Sequence, residues 1–276
     1  MRKAARFIGI GVLLIATGYL GMLAWQTQGP ASDNTIGTEV AAKSYLVNPQ
    51  ALSDIQAVVD QRTDLDLSVS LTDLQTGKSY HYGDNSAFTA ASIGKLITAA
   101  AFMNDVEKGT ASLTDSVGNT SANTAIQKML VESDNTSWAA MKNKVTLDGQ
   151  QAYAESIGMT TYDAAANTMS SSDVALLLAK LSSGKLLTTS HTGKLLSYME
   201  QANYRGYIVN AIPAGTSVYH KVGLLEDRVH DAAIIKRGDR SYVLVIFSKS
   251  PYGAYDFADG ASLFGSITAD SLRAFF

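Results

Sequence analysis

Hydrophobic and polar residues follow three rhythms along this chain, and each predicts a different kind of element. Residues 7–25 (FIGIGVLLIATGYLGMLAW) are apolar and carry no charge. As a helix they rise about 28 Å, close to the thickness of a hydrocarbon core. Arg2, Lys3 and Arg6 precede the run, and positive charge stays on the cytoplasmic side. The run is longer than the apolar part of most cleaved signals, and Gly29-Pro30-Ala31 is a poor cleavage site. A retained transmembrane anchor is therefore expected within 1–25, holding the rest on the extracytoplasmic side; secretion after signal cleavage is the alternative. Residues 26–47 are polar, with Gly, Pro, Ser, Asp and Asn early on, and read as a linker. The folded domain is expected over 48–276.

Within that domain the rhythm alternates between helical and extended. Leu52, Ile55, Val58 and Val59 recur at helical spacing and predict a helix over 51–61. Leu67, Val69 and Leu71 alternate with polar residues and predict a strand over 66–73. Thr76-Gly77-Lys78 turns the chain into a second strand over 79–82. Residues 92–108 are the strongest helix, with Leu96, Ile97, Ala100, Ala101, Met103 and Val106 inward and Gly109 closing it. Further helices are expected over 123–130, 135–144, 170–181, 193–202 and 259–276. Strands are expected over 217–221, 229–236 and 241–248, the last two joined by a turn at Gly238-Asp239. Strands at both ends with helices between them predict an α+β fold, in which the two ends share one antiparallel sheet and the middle forms a helical lobe.

Composition narrows the chemistry. At 46% hydrophobic and 17% charged the chain is globular rather than disordered. The net charge is −3, and without the three basic residues at the start it is near −6, which argues against a nucleic-acid partner. There is no cysteine, so disulfides, thiolate zinc sites and thiol nucleophiles are excluded. His81, His191, His220 and His230 are scattered without metal-ligand spacing. No metal or organic cofactor is expected, and a monomer is.

Three short motifs remain. Ser92-Ile93-Gly94-Lys95 places a hydroxyl and an amine one helical turn apart. Serine is a poor nucleophile until a base takes its proton, and a lysine serves once burial or a neighbouring cation lowers its pKa. Ser133-Asp134-Asn135 falls between two helices; its hydroxyl can relay a proton and its amide can hold a substrate. Lys221-Val222-Gly223 ends a strand, where the lysine adds positive potential and the glycine allows a close backbone approach. Each has a decoy: Ser182–Lys185 at a helix end, Ser32-Asp33-Asn34 in the linker, and Lys236-Arg237-Gly238 in a hairpin turn.

The order S-x-x-K, S-D-N, K-x-G, each in its own kind of element, resembles the serine β-lactamases and penicillin-binding proteins, and most closely the class A β-lactamase-like serine hydrolases. The flanking text TAASIGKLITAAAF, IQKMLVESDNTSW and HKVG…DAAII is similar to that family, and the resemblance covers roughly 53–276. It implies a five-stranded antiparallel sheet flanked by helices, with the site between sheet and helical lobe. It also implies that Ser92 is the acylated nucleophile, Lys95 its base, Ser133 the proton shuttle and Asn135 a substrate ligand. Lys221 and Gly223 would serve the substrate, and the backbone N–H groups of Ser92 and Leu224 would form the oxyanion hole. The implied substrates are β-lactams or the D-Ala-D-Ala amide of peptidoglycan stem peptides.

This chain departs from the family in three places. Val222 stands where the family carries Thr or Ser, which removes a hydroxyl used toward the substrate carboxylate; Arg228 or His230 is the expected substitute. No E-x-x-L-N occurs between Gly158 and Ser170, so the glutamate that directs deacylating water is missing, and Asp163 is the one carboxylate in its place. The span from Ser92 to Ser133 is short, which trims one wall of the cleft. These departures predict an acyl-enzyme that deacylates slowly. They leave a vestigial wall-binding domain, or an esterase on the same fold, as the rival readings.

Overall fold

The computed structural model describes residues 46–276. The expected membrane segment at 7–25 and nearly all of the linker lie outside the described residues. Among the described residues no helix is long and apolar enough to cross a membrane.

The domain opens with helix α1 (Pro49–Gln61), whose start is fixed by a proline and by Asn48, which accepts the backbone N–H groups of Gln50 and Ala51. Strands β1 (Asp66–Asp73) and β2 (Ser79–Gly83) form the first hairpin, and β7 (Ser217–Leu225), β8 (Arg228–Arg237) and β9 (Arg240–Lys249) form a meander near the end. The sheet order is β2-β1-β9-β8-β7, with every neighbouring pair antiparallel. The two ends of the domain therefore meet at β1 and β9, as the alternation of strands and helices predicts. Both faces are covered. Leu244 and Ile246 of β9 join α1 and the final helix α8 (Phe257–Phe275) in one core. Val243, Val245 and Phe247 join the helical lobe in the other. Burial on both faces explains why β9 reads as a continuous apolar run.

The lobe contains α2 (Gly94–Glu107), α3 (Ala122–Val131), α4 (Asn135–Val145), α5 (Leu147–Ser156), α6 (Ser171–Ser182) and α7 (Thr189–Glu200). Helix α2 is its centre: every residue from Gly94 to Met103 is buried. Helix α5 is absent from the sequence reading because LDGQQAYAES has no apolar stripe. It is fixed by Thr146, whose hydroxyl accepts the Gly149 N–H at 3.0 Å, and by burial of Gln150, Tyr153 and Ala154. Two paired fragments, β3 (Phe88–Thr89) with β6 (Thr168–Met169) and β4 (Ser116–Val117) with β5 (Thr120–Ser121), are too short to show a period. Strand β7 runs four residues past its expected end, so Val222, Gly223 and Leu224 belong to the ladder.

Candidate active site

The three motifs converge where α2, the loop between α3 and α4, and β7 meet. Ser92 lies in a 3-10 turn, Ala91–Ile93, that leads into α2; Ala91 before it has φ of 49°. Such left-handed backbone at a non-glycine residue is uncommon and costs about 1–3 kcal/mol. Ser133 (φ 58°) and Asn167 (φ 52°) share it, and all three border the site.

Lys95 is the hub. Its side chain is wholly buried, and its Nζ lies 2.8 Å from Ser92 Oγ, 2.7 Å from the Ser133 carbonyl, 3.1 Å from Ser133 Oγ and 2.8 Å from Asn135 Oδ1. Lys221 reaches the same hydroxyl from β7, donating to Ser133 Oγ at 2.9 Å. Burial, and then the charge of Lys221, lower the pKa of Lys95 to about 7. Burial lowers that of Lys221 to about 8. Near neutral pH Lys95 is thus able to exist as a free amine beside the Ser92 hydroxyl. Asp134 plays a local part: its carboxylate accepts the Ser137 N–H at 2.7 Å and caps α4.

A cavity of about 400 Å³ opens beside Ser92, and Asn135, Trp138, Lys142, Asn167 and Leu224 line it; none of its lining residues is acidic. Trp138, Lys142 and Asn167 are absent from the sequence reading. The Trp138 ring packs 5.0 Å from Lys95 Nζ, and its indole N–H donates to Thr98 Oγ1 at 3.0 Å. Thr98 in turn donates to Gln150 Oε1 at 2.6 Å, which ties α5 to the wall of the site. Asn167 donates to the Ala91 carbonyl at 3.0 Å. The available signal was Gly94: a Cβ there would stand 2.1 Å from Asn167 Oδ1 and 3.1 Å from Trp138.

Three expectations are corrected, and Asp163 is a surface acid in a turn. Asp163 does not stand in for the missing glutamate. It is exposed, its carboxylate accepts the Ala166 N–H at 2.8 Å, and its backbone closes a tight turn against Thr168. His230 cannot hold a substrate carboxylate: it is fully buried, with Nε2 against the Thr89 carbonyl at 3.0 Å and Nδ1 accepting the Ser248 N–H at 3.3 Å, and burial keeps it neutral, with a pKa near 4. The guanidinium of Arg228 is taken by Asp227, with Nε at 2.7 Å from Oδ1, and Arg228 does not line the cavity. Gly223 makes room for the protein itself rather than for substrate. A Cβ there would lie 2.9 Å from the Ala90 carbonyl and 3.1 Å from Ile93, so the glycine brings β7 against the nucleophile's turn. Val222 is buried in the core under the sheet and offers only methyl groups.

The decoys behave as decoys. Ser182 ends α6 and Lys185 is exposed, while Gly238 turns the β8–β9 hairpin. A second concavity, between the β1–β2 hairpin and α6, holds Ser70 Oγ 2.9 Å from His81 Nδ1. Ser70 is buried in the middle strand of a ladder paired on both sides, so it lacks the access that a nucleophile needs.

Comparison with known proteins agrees with this geometry. The sequence pattern of the β-lactamase enzyme family matches residues 50–275. Among solved structures, PBP-A superposes with a TM-score of 0.74 at 21% identity, covering 82% of this chain and 96% of PBP-A. A PBP-A mutant solved as an acyl-enzyme complex with penicillin G gives the same figures. A β-lactamase from Chitinophaga pinensis DSM 2588 superposes with a TM-score of 0.73 at 18% identity, covering 82% of this chain and 99% of that one. No curated protein sequence matches. With a buried lysine against a serine hydroxyl, a second serine between two lysines, and the family pattern over nearly all of the described residues, the chain belongs to the β-lactamase enzyme family and is a serine hydrolase of that superfamily.

Proposed function

We propose that this protein is an extracytoplasmic penicillin-binding hydrolase that acylates Ser92 with β-lactams and with peptidoglycan D-Ala-D-Ala amides and releases the acyl group slowly. The observation that carries the reading is the 2.8 Å contact between Lys95 Nζ and Ser92 Oγ, with the amine close to half neutral at pH 7. Neutral Lys95 takes the Ser92 proton as Oγ attacks the carbonyl. Ser133 Oγ, 3.1 Å from Lys95, passes a proton to the departing nitrogen. Lys221, 2.9 Å from Ser133, supports negative charge on the leaving half while it remains protonated. The backbone N–H groups of Ser92 and Leu224 are assigned to the developing oxyanion.

Slow release follows from the walls. Hydrolysis of the acyl-enzyme needs a base that aims water at the ester, and the cavity beside Ser92 offers an indole, two amides and an ammonium but no carboxylate. The apolar segment at 7–25 anchors the protein as a monomer facing its substrate in the wall. Loss of the hydroxyl at Val222 gives a specific second reading, an esterase acting on neutral esters by the same acyl chemistry.

The test is intact mass during incubation with penicillin, beside Ser92→Ala. The expected outcome is a lasting adduct on Ser92 and none on the variant. Rapid antibiotic loss with only a transient adduct would overturn slow deacylation. No adduct from penicillin, together with turnover in an ester panel, would select the esterase.

A further inference from the structure

The proton-relay geometry divides the cavity into two halves. Ser133 and Lys221 serve the leaving group, so the leaving half of a substrate lies on their side. The acyl half must extend along the other wall, which is a face of α4. Asn135, Ala139 and Lys142 recur on that face at helical spacing, and all three line the cavity. From Asn135 to Lys142 the helix rises about 10 Å.

Lys142 is the one charged side chain lining that cavity. Its neighbour Lys144 is paired with Asp115 at 3.0 Å, but among the described residues no carboxylate pairs with Lys142. The half-buried Lys142 is not left to wander either. Its Nζ stands 4.4 Å from the centre of the Trp138 ring, one turn back on the helix. That indole is itself fixed by its bond to Thr98. A cation held over a fixed aromatic ring, without an acid and facing the acyl wall, is a preformed receptor for an anion.

We infer that Lys142 is a specificity-determining residue that selects acyl donors bearing a second carboxylate on the acyl side, within about three extended residues of the scissile carbonyl. The inference rests on the acylation of Ser92 proposed above and adds the chemical class of its substrate. A carboxylate seated at Lys142 leaves the Ser133–Lys221 side undisturbed, so recognition and proton relay use separate cations.

The experiment uses the full chain in non-ionic detergent and two peptide thioesters that differ in one group, a carboxylate or a carboxamide on the acyl residue's side chain. The rate of Ser92 acylation is read as thiol release and as intact mass. The wild type is expected to prefer the carboxylate donor. In Lys142→Met that preference falls by roughly 10- to 100-fold, the loss of one charge-assisted contact. Lys142→Arg keeps most of it. Penicillin labelling and a thermal unfolding midpoint show that each variant is folded. Equal rates for the two donors in the wild type, or an unchanged preference in folded Lys142→Met, overturn the inference while penicillin labelling of Ser92 leaves the proposed function standing. No Ser92 adduct from penicillin or from either thioester overturns both.

Discussion

At Ser133 a single hydroxyl sits between two amines, and the protonation states of those amines set when it relays. Acylation needs Lys95 neutral and Lys221 charged. Lys95 loses its proton near pH 7 and Lys221 near pH 8, so the working form exists between those limits. The rate of acylation by penicillin is expected to rise with pH through about 7 and fall through about 8, measured by stopped-flow as kcat/KM. In Lys221→Met the upper limb should vanish. The lower limb should move up in pH, because removing the second cation relieves repulsion and raises the Lys95 pKa toward the value for an unopposed buried lysine. A downward shift would contradict the charge coupling between the two lysines. Asn167 offers a second test at this scale. Asn167→Asp keeps the size and the left-handed backbone that both residues tolerate, but it loses the amide N–H that holds the Ala91 carbonyl, so its acylation rate is measured beside the lifetime. It also puts a carboxylate into the cavity wall in place of an amide. Adduct lifetime with penicillin should shorten by about 10-fold or more, because a general base typically contributes at least that much. An unchanged lifetime in a folded variant would show that the absent carboxylate is not what limits deacylation.

Among the elements, the tightest join is between β7 and the turn that carries Ser92. Gly223→Ala is expected to push the Ala90–Ile93 turn away from the strand, since the contact is with backbone that cannot swing aside. The stability cost is about 1–3 kcal/mol. Acylation should fall by about 100-fold or more through displacement of the oxyanion donors, visible as lost kcat with the fold intact by circular dichroism. The three motifs were legible in the sequence because each sits on a long element whose period announces it: the 3.6-residue repeat of α2, the helix pair around Ser133, and the alternating strand at Lys221. The cavity wall was not legible. Trp138 and Lys142 lie on a helix that was expected, but Asn167 reaches them from a turn fixed by two two-residue strands and by the Asp163–Thr168 bridge. No local pattern encodes a contact of that kind. Helix α5 was missed for a related reason, since its inward residues include Gln150, a polar side chain buried by its bond to Thr98.

Across the whole molecule, one sheet separates two cores, and Lys95 with its helix α2 stands in only one of them. Phe264 of α8 is fully buried in the other, 5.4 Å from the Tyr207 ring. Phe264→Ala is expected to cost about 3–5 kcal/mol, a large share of the 5–15 kcal/mol typical of a domain. The folded fraction should still label at Ser92 at the wild-type rate, as denaturant titration and penicillin labelling together would show. Loss of labelling without loss of stability would mean that the far core communicates with the site.

The pairing of β1 with β9 has a consequence for how the protein is made. The Lys249–Asp66 contact closes the sheet across 183 positions of sequence. A ribosome delivers the first hairpin long before its partner strand exists, so β1 must wait with one edge bare while the helices emerge. Bare edges recruit other chains, and pairings this distant form slowly. For the extracytoplasmic location proposed above that delay is an advantage: a chain that cannot close its central sheet until the last strand is made stays thin enough to be threaded through a membrane pore.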